Sequence, residues 1–519
     1  MSQNFRLNTG GLINRDKPIE FKFNGKKYIG YEGDTLASAL LANGIHLIGR
    51  SFKYHRPRGF FGAGVDEPNA KMQVEINGCS EPNINATEIE LVNGLSASSQ
   101  NCWPSVNFDI GAINNFLNRF FPAGFYYKTF MWPKSFWYRV YEPFIRKAAG
   151  LGIASLEKDK ERYEHKYEYC DLLVTGSGPA GLASAYAAAK NGAKVILAED
   201  KPRYGGTLLT DDVTIDNLSG KDWSEKIISE LKEMPNVIVK NRSQVFGYYD
   251  HNMMVMFERT GDHLEKKPKY TPRQRLWYIR AKEVLLSTGS IERPIVFGNN
   301  DTPGVFLSAA AKEYMKVYGV LVGKKPIIFT NNDSAYETAI EFKNNGADPL
   351  ILDTRKEHIS ELVNEAKNKG IEIKFNHAVI KANGYKKVKS ADIGELSEDK
   401  TEYKNIKKVE CDCICVSGFW TPSVHLASQS GNKLKFDNQI DAFVPDKSKQ
   451  NEFTVGSANG DFTLQNTLNK GFKAGIDISK KINNKEIDIQ IPNATEKKHN
   501  IHDKFWCAPL PIKMQAKRF

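Results

Sequence analysis

The stretch from Cys170 to Asp200, CDLLVTGSGPAGLASAYAAAKNGAKVILAED, constrains the fold more than any other part of the chain. An apolar run (Leu172, Leu173, Val174) feeds a turn with glycines at Gly176, Gly178 and Gly181. An alanine-rich helical stretch begins at Pro179 and Ala180, and a second apolar run (Val195 to Leu197) ends at Glu199 and Asp200. Strand, glycine turn, helix and strand in this order are the grammar of a dinucleotide site. Gly176 permits the tight turn, Gly178 lets the backbone approach a diphosphate, and Gly181 lets the helix pack close to the strand. The diphosphate is expected on the free N–H groups at the positive end of that helix. Glu199, eighteen residues past Gly181, stands where an acid binds ribose hydroxyls, and its charge disfavours a 2′-phosphate. The competing reading is a plain glycine turn in another α/β unit.

A chain of 519 residues is too long for one core and implies several domains. Its 41% hydrophobic and 26% charged content is that of a soluble globular protein. Met1 to Gly10 lacks an apolar signal-peptide core, and no run is apolar enough to span a membrane. Seven scattered cysteines suit reduced thiols, so a cytoplasmic location is expected. The net charge of +11 is carried by lysines spread along the chain. That pattern reads as a solvated surface or as attraction for an anionic partner or cofactor. No nucleic-acid module is evident, and neither nucleic acid nor membrane is expected as a partner.

The remainder divides by pattern. Residues 1–102 read as a β-grasp unit: alternating runs joined at Asn24-Gly25, a short helix from Thr35 to Asn43 capped by Asp34 and ended by Gly44, and a strand from Lys71 to Ile76 closed by Asn77-Gly78. Residues 103–165 are an aromatic-rich helical linker region broken by Lys128, Lys134 and Arg139; it suits either an interdomain core or a subunit interface. Residues 166–304 and 416–485 read as the dinucleotide-binding Rossmann domain. Residues 305–415 read as a second, degenerate Rossmann-like lobe. There Asn331, Asn332 and Asp333 stand where glycines would be, which hinders close approach of a diphosphate. Cys411, Cys413 and Cys415 alternate, as on one buried face of a strand, and lack metal-site spacing. Residues 486–519, rich in Asn, Lys and Pro, read as a linker toward a missing C-terminal domain.

Three segments carry a resemblance: SFKYHRPRGFFGAGVDEPNA (Ser51–Ala70), RQRLWYIRAKEVLLSTGSIERPIVFGNNDTPGV (Arg273–Val305) and CVSGFWTPSVHLASQSGNKLKFD (Cys415–Asp437). They resemble the alpha subunit of heterotetrameric sarcosine oxidase, over essentially the whole chain. The family's subunit continues into a folate-binding domain, so this chain is expected to be a fragment or a shortened subunit. The resemblance implies oxidative demethylation of sarcosine on FAD held by a beta subunit, with FMN at the alpha/beta interface and hydrogen peroxide released. Gamma and delta subunits complete the implied assembly, and the alpha subunit binds NAD.

By the same resemblance Ala180, Glu199, Asp200, Lys201 and Thr207 contact NAD, and Val245 lies near the adenine. Ser457, Phe462 and Thr463 approach the other end. Gly206 and the strand end Thr288-Gly289 complete the expected cofactor-binding set. Phe419 departs from the family's glycine. The N-terminal domain is similar to two-iron ferredoxins, yet no cysteine lies between Arg50 and Ala70; four thiolates are needed for a cluster, so no iron is expected. Arg50, Lys53, His55, Arg56 and Arg58 suit a flavin phosphate, an acidic partner or solvent.

The expected fold is therefore α/β: two Rossmann-like lobes of the disulfide-oxidoreductase type, preceded by a ferredoxin-like β-grasp domain without its iron–sulfur cysteines. No catalytic residue and no metal ligand is expected in this chain. His425 is the best isolated proton-transfer candidate, and a hydrogen-bonded structural histidine is the plainer reading. The alternatives are a stand-alone FAD/NAD(P)H oxidoreductase and a non-redox scaffold stabilised by NAD.

Overall fold

The computed structural model describes residues 3–76, 78–120, 124, 129–148, 150–484, 488–497 and 502–511. Asn24 and Gly25, at φ of 49° and 77°, close the first hairpin between strands Asn14–Phe23 and Lys26–Glu32. Two left-handed residues match the twist of the strands they join. The hairpin extends into a five-stranded sheet with Ser96–Ser99, Lys71–Ile76 and Cys79–Asn85. The helix Leu36–Ala42 is buried along its whole length against it. Its cap is Thr35, one residue later than expected, in a reciprocal box with Ser38. Asp34 instead binds Ser38 Oγ and Arg6. The turn residue Asn77 lies outside the described residues.

The first lobe is built on strand Tyr163–Thr175. It pairs in parallel with Val195–Ala198 on one side and Gln274–Leu286 on the other. Glu452–Thr454 runs parallel to the end of the latter strand. Because the central strand begins at Tyr163, residues 163–165 belong to this lobe and not to the linker region. The second lobe is a five-stranded parallel sheet in the order Val305–Leu307, Cys413–Ser417, Pro326–Thr330, Leu350–Asp353, Glu372–Phe375. The expected boundary at residue 415 cuts through a strand; all of Cys413–Ser417 is second-lobe sheet. The chain rejoins the first lobe where Trp420–Pro422 pairs with Ser290–Glu292.

Two expectations are corrected by packing. Phe116, Phe120, Trp132, Tyr138 and Phe144 are exposed, so these rings do not fill an interdomain core; Lys128 lies outside the described residues. The segment read as a linker is instead a strap across both lobes. Ala494–Thr495 adds a strand to Thr214–Ile215 of the first lobe, and Lys497 pairs with Glu365 of the second. Phe505 and Ala508 are buried. Its polar composition concealed this, because among the described residues the strap is held largely by backbone pairing, ion pairs and side-chain hydrogen bonds, with Phe505 and Ala508 as buried apolar anchors. Lys517, Arg518 and Phe519 lie outside the described residues.

Candidate functional site

The helix Pro179–Lys190 starts one residue after Gly178 and points its N-terminus at the end of the central strand. A Cβ at Gly181 would lie 2.0 Å from the Gly176 carbonyl oxygen, and one at Gly176 would lie 2.4 Å from the Ser287 carbonyl oxygen. Both clashes are with backbone, so both positions require glycine for the fold itself. Gly178 differs: a Cβ there would meet nothing within 4 Å. It faces open space bounded by Gly206, where a Cβ would approach Gly178 Cα at 3.0 Å. This is a cradle of backbone amides that a side chain would fill and a diphosphate fits.

Glu199 ends the neighbouring strand and is buried. Its Oε2 accepts from Ser177 N at 2.9 Å and Ser177 Oγ at 2.6 Å, and its Oε1 accepts from Lys201 N at 3.0 Å. A carboxylate offers about four lone-pair sites, so three donors leave room for a ribose hydroxyl. Burial, with Asp200 beside it, raises its pKa, while the bonds from Ser177 and Lys201 oppose the rise. Glu199 thus also pins the glycine turn, a role the spacing alone does not reveal. Ser177 was missed in the sequence; Gly205, at φ 119°, donates to Ser177 O and brings Gly206 and Thr207 to the cradle. The Gly205-Gly206 pair was the available signal.

The other expected residues divide. Asp200 presents its carbonyl to Arg259. The Lys201 amine is drawn to Glu313 on the second-lobe helix Ser308–Tyr318, 2.7 Å away, so only its backbone serves the Glu199 corner. Val245 lies on the strand Ser243–Tyr249, whose Ser243 amide donates to Glu199 O at 2.7 Å. Thr288 donates to Ser423 O at 2.8 Å, and Gly289, at φ 73°, leaves open space beside it. Ser457 sits in the turn Gly456–Asn459; a Cβ at Gly456 would lie 2.9 Å from Ala180 Cβ, so this turn abuts the cradle helix. Thr463 precedes the helix Leu464–Asn483.

Phe462 turns instead into an aromatic group. Its ring meets Phe419 edge-on at 5.1 Å, and Phe419 stacks on His502 of the strap at 4.2 Å. Phe419 holds φ at 74°, a region costly for a bulky residue, and these ring contacts offset that strain. His425 meets only Ser423 Oγ, at 3.3 Å, and stands exposed.

The degenerate turn of the second lobe is occupied by the chain itself. Asn331 Nδ2 donates to the carbonyls of Asp503 and Phe505, and Asn331 O accepts from Asp503 N. Asp333 is fully buried and paired with Arg355 at 2.6 Å. Cys413 and Cys415 are buried within their strand, and burial drives the Cys413 pKa up. The basic loop is likewise engaged: Arg56 and Arg58 both bind Asp301, Arg50 binds Val106 O, and His55 binds Asp109 at 2.7 Å.

Residues 170–474 match the family described as pyridine nucleotide-disulphide oxidoreductase, more than half of the 519-residue chain. The chain belongs to that family. Residues 16–102 match a 2Fe-2S iron-sulfur cluster binding domain. That span holds two cysteines, Cys79 and Cys102, and a cluster needs four ligands. Among the described residues no group of three or more His, Cys, Asp or Glu is placed to hold a metal ion. The residues present do not fit the cluster. The chain is 43% identical over 474 residues to the sarcosine oxidase subunit alpha of Rhizobium meliloti, covering 90% of this chain and 46% of that one. It is 32% identical over 490 residues to the same subunit of Corynebacterium sp. strain P-1, covering 92% and 45%. The chain thus spans about half the length of these relatives. The L-proline dehydrogenase of P. horikoshii shares the fold, with a TM-score of 0.61 at 20% identity over 92% of this chain and 76% of that one. Among the described residues no helix is long and apolar enough to cross a membrane.

Proposed function

We propose that this chain is the NAD-binding subunit of a multi-subunit, flavin-dependent oxidase acting on the CH–NH group of sarcosine, with hydrogen peroxide as co-product. The observation that carries the reading is the open glycine cradle beside buried Glu199, within a chain 43% identical to a sarcosine oxidase alpha subunit. Flavin, FAD in a beta partner and FMN at the shared interface, would supply the electron-accepting chemistry. The residues of this chain bind and orient. Amides of Gly178, Ala180 and Gly181 take the diphosphate, Glu199 takes the adenosine ribose with Val245 near the adenine, and Gly206, Thr207, Thr288, Gly289 and Ser457 surround the remainder.

The exposed rings from Trp103 to Phe144 support docking of a partner subunit. Between Trp103 and Leu156 six Lys and Arg residues accompany two Asp and Glu residues, so the partner face is expected to be apolar with an acidic rim. Gamma and delta subunits and a cytoplasmic location complete the reading. A stand-alone FAD/NAD(P)H oxidoreductase draws support from the family match at residues 170–474. Occupation of the Asn331 turn by the strap weighs against it, because the second lobe then offers no free diphosphate cradle.

The test is reconstitution. The chain alone is expected to be inert toward sarcosine. Co-expressed with its flavin-bearing partner, it is expected to co-purify and to give sarcosine-dependent peroxide. Rapid NADH oxidation by the isolated chain with tightly bound FAD would instead establish the stand-alone reading.

A further inference from the structure

The loop that begins at Gly205-Gly206 belongs to both lobes at once. Gly205 N donates to Ser177 O at 3.1 Å, and Gly206 comes so close to the cradle that a Cβ on it would lie 3.0 Å from Gly178 Cα. The short helical turn Gly206–Leu209 follows, and Asp211 N donates back to Thr207 O at 2.9 Å. Leu208 is buried in the core of the first lobe. Leu209 packs against the core that the second lobe shares with the β-grasp domain. Asp211 is thus one hydrogen bond from Thr207, and Thr207 adjoins the residue that walls the cradle.

The end of the loop is held from the second lobe. Lys312 and Lys316 lie one turn apart on one face of the helix Ser308–Tyr318. Lys312 Nζ is 2.7 Å from Asp211 Oδ1 and 2.7 Å from Glu337 Oε2. Lys316 Nζ is 2.7 Å from Asp212 Oδ1 and 3.2 Å from Glu341 Oε2. Glu337 and Glu341 are again one turn apart, on the helix Ser334–Asn344. Each lysine therefore joins one acid of the loop to one acid of the second lobe. The two rungs are unequal. The Lys312 side chain is 10% exposed and that of Asp211 32%, whereas that of Asp212 is 62% exposed. A pair in water contributes little, while a buried ion that loses its partner is costly. The Lys312 rung carries the hold. Burial alone would depress the Lys312 pKa, but Asp211 and Glu337 outweigh it and raise it, so the rung stays charged.

We propose that Lys312 is a positioning residue for the dinucleotide site: by fixing Asp211 it fixes the Gly206 wall of the cradle, so that coenzyme binding in the first lobe is coupled to docking of the second. The proposal rests on the dinucleotide reading above and adds a residue of the other lobe that sets the affinity. Such coupling is reciprocal, so a coenzyme seated against the wall also tightens the second lobe on the loop.

Calorimetric titration of the full chain with NAD+ tests this in Asp211→Asn and Asp212→Asn. Each variant removes one negative charge from the same loop. Field effects alone would make both bind the anionic coenzyme more tightly. The coupling acts in the opposite direction, and at Asp211 alone. Asp211→Asn is expected to raise Kd about tenfold, within the range of couplings between sites. Asp212→Asn, on the exposed rung, is expected to leave Kd within about twofold. Hydrogen exchange reads the reciprocal effect. In the wild-type chain saturating NAD+ is expected to slow amide exchange in Ser308–Tyr318 more than in the strand Leu350–Asp353 of the same lobe, and in Asp211→Asn this difference is expected to vanish. The wild-type comparison needs no variant, so it decides the matter even where Asp211→Asn folds poorly. Wild-type affinity in Asp211→Asn, or equal slowing of helix and strand in the wild-type chain, overturns the coupling and leaves the dinucleotide site standing. A wild-type chain that binds no NAD+ overturns the dinucleotide reading and this inference with it.

Discussion

Glycines of one motif do different work at Gly178 and Gly181. Gly181→Ala drives a methyl group into the Gly176 carbonyl and is expected to destabilise the fold by several kcal/mol, on the order of overpacking penalties. Gly178→Val enters open space. It is expected to leave the melting temperature of the unliganded chain unchanged while weakening NAD+ binding at least about tenfold, as read by calorimetry. The spacing from Gly181 to Glu199 was legible in the sequence because one βαβ unit fixes it locally. The bonds from Ser177 to Glu199 were not, because they depend on how two strands sit side by side. His46 was equally silent. Its ring is buried between Phe5 and Phe306 with neither nitrogen bonded, and burial, aided by Lys387, lowers its pKa to about 3. The unfolded chain takes up that proton near pH 6.5 while the folded chain resists, so stability falls as pH drops through this window. At pH 4.5 the loss is about 3 kcal/mol from this group alone. His46→Leu is expected to flatten the acid limb of the stability profile measured by denaturant titration.

Among elements, the helix pair around the cradle and the strap show where sequence reading succeeds and fails. Of the two helices, the alanine-rich one at the cradle was legible in the sequence. Their close approach was not, although Gly471 and Gly475, four residues apart on one face, were a signal for it. Gly471→Val is expected to cost several kcal/mol and to abolish NAD+ binding together with helix packing, since its Cβ already meets Ala180 backbone. The strap was read as a linker because it lacks an apolar period. Part of its hold on the second lobe comes from Asn331, whose side chain satisfies two carbonyls. Asn331→Ala leaves those acceptors unpaired, at a cost of about 2 kcal/mol. Limited proteolysis is expected to cut near residues 502–508 faster in this variant; an unchanged cleavage rate would contradict the strap.

For the molecule as a whole, charged pairs fasten the β-grasp domain to both lobes. Arg56 and Arg58 meet Asp301 on the segment that leads into the second lobe at Val305, while Arg242 meets Glu90 and Arg273 meets Glu81 at the first. A cavity of about 240 Å³ at the first-lobe seam is lined by these paired charges and lies apart from the glycine cradle. The basic loop from Arg50 to Arg58 therefore serves as a clamp. Removing its shared acceptor by Asp301→Ala takes the carboxylate away from two partly buried guanidinium groups, and is expected to lower stability by about 3 kcal/mol. The exposed aromatic surface between Trp103 and Phe144 has the opposite signature: Trp132→Ser with Phe144→Ser is expected to leave melting of the isolated chain unchanged and to abolish co-purification with the flavin-bearing subunit. Three domains in order were legible, because each carries its own local grammar. Their docking was not, because it resides in contacts between residues far apart in sequence, both charged pairs and the apolar core that Phe60 shares with Phe306 and Tyr314. The central claim is that the cradle at Gly178 holds NAD, and a crystal structure of the full chain grown with NAD+ tests it most directly. The account predicts the diphosphate on the amides of Gly178, Ala180 and Gly181, the adenosine ribose on Glu199, and the nicotinamide toward Ser457. A flavin in that cradle, or a cradle closed by protein side chains with no coenzyme present, would contradict it.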